Sequence, residues 1–136
     1  MRKSQIAFAA AAIALVGLLA SCSSLGVADA REAGVPEGVA LPAMSTDPAV
    51  IAYKDGSAKV VTFGSGSCPA TATSLENDGG VLYIEFTVDA EGPCTADITA
   101  TTHTFSAQKV DGAVSNDARV LFPEFDEKYD VKVIRG

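Results

Sequence analysis

The chain has 136 residues, 48% of them hydrophobic, and carries seventeen acidic against ten basic side chains for a net charge of −7. That length suits one small domain and not two. The acidic balance argues against nucleic acid and anionic lipid headgroups as charge-recognised partners, because both require clustered Lys and Arg.

At the start, Met1-Arg2-Lys3 is a short basic region and Ile6 to Ala20 is an apolar run of 15 residues, the layout of an export signal. A membrane-spanning helix needs roughly 20 apolar residues, so this run is short for a span. The run closes on Leu19-Ala20-Ser21-Cys22, which resembles the lipobox of bacterial lipoproteins at all four positions. The resemblance implies a signal peptide over residues 1–21, cleavage between Ser21 and Cys22, and a diacylglyceryl thioether on Cys22. It also implies a mature protein held on the extracytoplasmic face of the cell membrane. Two or three acyl chains suffice for stable anchoring where one is marginal, at about 0.8 kcal/mol per buried CH₂. The mature chain would keep eight basic and all seventeen acidic side chains, a net charge of −9.

Residues 22–49 contain Gly, Ala, Ser and three prolines, with no aromatic residue and no apolar periodicity. They read as the lipidated Cys and a flexible tether with a reach of about 25 to 30 Å. Residues 50–136 read as the extracytoplasmic domain. Val50 to Gly64 is a predicted hairpin around Lys54-Asp55-Gly56. "PATATSLE" leads through "NDGG" into "VLYIEFTV", where Leu82, Ile84, Phe86 and Val88 alternate with Tyr83, Glu85 and Thr87. In "TADITATTHTFSA", Ala96, Ile98 and Ala100 alternate with Asp97, Thr99 and Thr101. "ARVLF" and "YDVKVI" follow, the latter placing Tyr129, Val131 and Val133 on one face. No stretch of ten residues has a helical period. The expected fold is all-β, a small antiparallel sandwich or barrel of six to seven strands.

With Cys22 assigned to lipid, Cys68 and Cys94 remain, and an exported chain permits them to pair. A bridge would close a loop of about 27 residues and contribute roughly 3.5 kcal/mol. There is no C-x-x-C and only one His, which favours a structural bridge over a redox or metal pair. The stretch from Gly64 to about Phe105, with "GSGSCP", "GPCTAD" and "TATTHTF", looks like small lipoproteins of high-GC Gram-positive bacteria. It contains no catalytic motif.

The remaining candidates are few. His103 is the only histidine, so a membrane-anchored hydrolase would have to use it; Ser65 and Ser67 lie in a Gly loop without a nucleophile elbow. Asp89, Glu91 and Asp97 could bind a hard cation, or simply be solvated turn residues. Phe122, Phe125 and Tyr129 in "FPEFDEKYD" could form an interaction surface, but a domain without Trp needs its aromatics inside. No catalytic residue, metal site or cofactor is expected. The reading is a non-enzymatic binding or accessory module, with an envelope protein or small ligand as partner.

Overall fold

A computed structural model describes residues 25–89 and 92–136; Cys22, the cleavage expected between Ser21 and Cys22, and Glu91 lie outside the described residues. Two sheets pack face to face around one apolar core. The first contains β1 (Ala30–Ala33), β2 (Ala49–Ala52), β3 (Ala58–Gly64), β6 (Thr99–Phe105) and β9 (Ile134–Arg135), in the order β1-β6-β3-β2-β9. The second contains β4 (Thr71–Asp78), β5 (Val81–Thr87), β7 (Asp117–Phe122) and β8 (Glu127–Lys132), in the order β4-β5-β7-β8. The fold is thus the expected all-β sandwich, with nine strands. All pairings are antiparallel except β5 with β7 and β2 with β9.

The strands follow from side-chain alternation. In β5, Leu82, Ile84 and Phe86 are buried while Tyr83, Glu85 and Thr87 are half-buried on the other face. Each fully buried side chain of this size stabilises the fold by roughly 1.5–3 kcal/mol. Between β4 and β5, Gly79 and Gly80 both adopt positive φ, which ordinary side chains rarely tolerate and which lets the two strands reverse tightly. Between β2 and β3, Tyr53 N–H donates to Ser57 O at 2.9 Å and the Asp55 carboxylate accepts from Ser57 N–H at 2.9 Å. A single helical turn, α1 (Ala107–Val110), follows β6; it is capped by Ser106 and buries Val110.

β6 departs from the expected pattern. It begins only at Thr99, and Ile98 is exposed. Its inward residues are Thr101, His103 and Phe105, opposite Thr62, Val60 and Ala58 of β3. The alternating Ala96, Ile98 and Ala100 therefore do not form the core face. The opposite face is closed locally as well: Thr102 is buried and its hydroxyl donates to Gly34 O at 2.7 Å.

A second difference concerns residues 22–49, read from sequence as a tether. From Gly26 to Gly34 this segment belongs to the fold. Gly26 bridges Ala72 at the open edge of β4, and Val27 N–H donates to Ala72 O at 2.9 Å. Ala28 is buried in the core, Asp29 N–H donates to Thr104 O at 2.8 Å, and β1 then pairs with β6. The chain thus crosses from one sheet to the other and closes one side of the sandwich. β1 lacks apolar alternation because it is an edge strand held by its backbone and by Arg31, whose guanidinium reaches Ala70 O (3.3 Å) and Thr71 Oγ1 (3.2 Å). The C-terminus closes the opposite side. Val133 N–H donates to Asn116 O after β8, β9 pairs with β2, and Gly136 N–H donates to Ala52 O.

Candidate functional site at the disulfide end

β3, β5 and β7 end, and β4, β6 and β8 begin, at one end of the sandwich. There Cys68 and Cys94 form a disulfide with Cα atoms 5.6 Å apart, as the pairing of the two remaining cysteines predicts. It joins the loop before β4 to the loop before β6.

Beneath the disulfide lies a cavity of about 240 Å³, walled by Phe63, Ala70, Val88 and Phe122, with the buried hydroxyl-bearing residues Thr62 and Thr101 on its lining. A second cleft of about 210 Å³ shares Phe63, Val88 and Phe122 and extends to Phe125, Glu127 and Tyr129. The two form one predominantly apolar groove. Of the three aromatics of "FPEFDEKYD", Phe122 and Tyr129 pack against the core while Phe125 is 55% exposed at the groove's rim.

A file of rings connects this groove to the interior. Tyr129 meets Phe122 edge to face at 6.1 Å, Phe122 stacks on Phe86 at 5.6 Å, and Phe86 lies 4.7 Å from the His103 ring. The Tyr129 hydroxyl donates to Glu127 at 2.9 Å, which raises its pKa.

His103 is fully buried. Its Nε2 shares a 2.9 Å hydrogen bond with Thr62 Oγ1, and its Nδ1 has no partner. Burial, with a smaller contribution from the positive charge of Arg31, pushes its pKa down to about 4, so the ring is neutral at pH 7. Its one hydrogen-bond partner is a threonine, and no carboxylate orients it, so the base, nucleophile and orienting group of a hydrolase do not come together here.

Ser65 and Ser67 serve a different arrangement. Ser65 Oγ lies 3.0 Å from Thr95 Oγ1, Thr95 N–H donates to Ser67 Oγ at 2.9 Å, and Gly66 N–H donates to Asp97 at 3.2 Å. The Thr95 hydroxyl also donates to Asp97, and these bonds hold the Asp97 carboxyl below the usual range. This polar lattice braces the two loops that the disulfide joins. Asp89 is exposed, and among the described residues no group of three or more His, Cys, Asp and Glu side chains could hold a metal ion. None of the described helices is long and apolar enough to cross a membrane.

No protein family, curated protein or solved structure matches this chain.

The groove was legible in the sequence only through Phe122, Phe125 and Tyr129, because its other walls come from positions far apart in the chain. Among those other walls Thr62 had a local signal, since Ala58, Val60 and Thr62 share the inward face of β3.

Proposed function

We propose that this chain is a bacterial envelope lipoprotein, held on the extracytoplasmic face of the cell membrane by lipid on Cys22, whose β domain is a non-enzymatic binding or accessory module. The observation that carries the reading is Leu19-Ala20-Ser21-Cys22 at the end of a 15-residue apolar run behind a basic start. A disulfide within a small domain accords with an oxidising compartment.

The groove at the disulfide end is the binding surface this reading favours. Its two parts, of about 240 and 210 Å³, share Phe63, Val88 and Phe122. Their size suits an aromatic or branched apolar side chain presented by another envelope protein. The partner would meet an apolar floor with a rim of Glu127 and Tyr129. A hydrolase built on His103 gains no support from a ring that is buried, neutral and bonded only to Thr62.

Fractionation of cells making Cys22→Ala tests the anchor. The variant is expected in the soluble fraction or as uncleaved precursor, while the parent protein sediments with membranes. A processed, membrane-bound Cys22→Ala product would refute the reading.

A further inference from the structure

The start of the fold fixes how far the domain can stand from a lipid on Cys22. The backbone is held from Gly26 by the bridge to Ala72, the Val27 hydrogen bond and the burial of Ala28. Only Ser23, Ser24 and Leu25 separate Cys22 from Gly26. At no more than about 3.3–3.6 Å per residue, the Cys22 and Gly26 Cα atoms lie within about 14 Å of each other whatever conformation those residues take. The polar headgroup layer of one leaflet takes up about 5 to 8 Å of that distance. The 25 to 30 Å standoff expected of a free tether is not available.

We infer that the domain lies directly on the phospholipid headgroups, through the side of the sandwich formed by the outer edge of β4 and the crossing segment from Gly26 to Arg31. This rests on the proposed lipid at Cys22. The chemistry of that side fits the contact. Residues 71–75 of β4, the half beside the crossing segment, are uncharged, with Thr73 exposed at a register shift between Ala72 and Ser74, while the exposed Glu76 and Asp78 lie at the far end of the strand. An open groove of about 440 Å³ runs between Val27, Thr73, Leu75 and Lys109. The Lys109 ammonium sits on Val27 O at 2.7 Å and pairs with Asp29 at 3.1 Å, so the nearest carboxylate is neutralised. The segment with Glu124, Asp126, Glu127 and Asp130, whose charge Lys128 and Lys132 offset in part, belongs to the opposite edge of the same sheet. Three strand spacings of about 4.8 Å separate the two edges, so these four carboxylates face away from the bilayer. The short spacer imposes the contact, and the uncharged first half of β4 tolerates it without needing a basic patch. Strand axes then run along the membrane plane, with β8 outermost.

Electron paramagnetic resonance on the full-length lipidated protein in phosphatidylcholine vesicles tests the orientation. Nitroxides are placed singly at Thr73→Cys and Lys128→Cys, both exposed positions, and nickel is chelated to a lipid headgroup as relaxing agent. Relaxation is expected to be several-fold stronger at position 73 than at 128. Inserting a Gly-Ser spacer of about twenty residues between Ser24 and Leu25, with a reach of about 25 Å, should abolish that difference. Equal relaxation at both positions in protein whose Cys22 carries lipid by mass would overturn the inferred orientation and leave the anchor intact. Absence of lipid on Cys22 would overturn the anchor, and the orientation with it.

Discussion

His103 is a polar ring enclosed by a hydrophobic core, with one nitrogen bonded to Thr62 and the other without a partner. An unsatisfied buried polar atom costs about 1–3 kcal/mol, and a charge there would cost more. The folded pKa of about 4 lies below the unfolded value of 6.5, so the unfolded chain binds the extra proton between those limits. Stability is therefore complete above pH 6.5 and falls as the pH drops toward 4. Denaturant unfolding at pH 7 and pH 5 should show a loss of about 2 kcal/mol, and His103→Gln, which does not titrate, should flatten that slope. The His103 slope lies above the carboxylate window, because Asp29, Asp55 and Asp97 titrate below their usual 3.8. An unchanged slope in His103→Gln would mean that another group carries the effect. The sequence showed His103 on the face of Thr101 and Phe105. It did not show that this polar face is the buried one, because core burial of β6 is decided by its neighbour β3 and by Phe86, and not by its own alternation.

Among the elements, legibility followed local chemistry. β5 and the β2–β3 hairpin were readable because alternation and turn residues lie within the segment itself. The disulfide was readable from cysteine parity once Cys22 is set aside for the proposed lipid. β1 was not, since an edge strand with one face on solvent needs only backbone partners and Arg31. Of the groove only Phe122, Phe125 and Tyr129 were, since parallel pairing of β5 and β7 brings Val88 and Phe122 together across more than thirty residues of chain. Two predictions belong to this scale. Replacing both Cys68 and Cys94 by Ala should lower stability by about 3.5 kcal/mol in guanidinium unfolding, with the midpoint moving to lower denaturant. Gly26 has a φ of 61°, and a Cβ there would lie 1.8 Å from Ala72 O. Gly26→Ala should therefore detach the N-terminal crossing, destabilise by about 1–3 kcal/mol and expose residues 26–33 to limited proteolysis. Unchanged protease resistance would show that the crossing is held by β1 alone.

At the scale of the molecule, the crossing segment from Gly26 and the C-terminal β9 close the sandwich's two sides, leaving the disulfide end to carry the apolar groove. A photo-cross-linking residue at Phe125 should capture an envelope protein in cells, while one at Lys54, in the turn at the other end, should capture none; equal yields would remove the groove as the preferred surface. All of this depends on where the protein is held. Intact-mass spectrometry of the protein extracted from the membranes of the cell that makes it tests that most directly. The expected mass is that of residues 22–136, with the disulfide formed and a diacylglyceryl group on Cys22. A mature chain that begins elsewhere, or one that carries Cys22 unmodified, would contradict the lipid anchor.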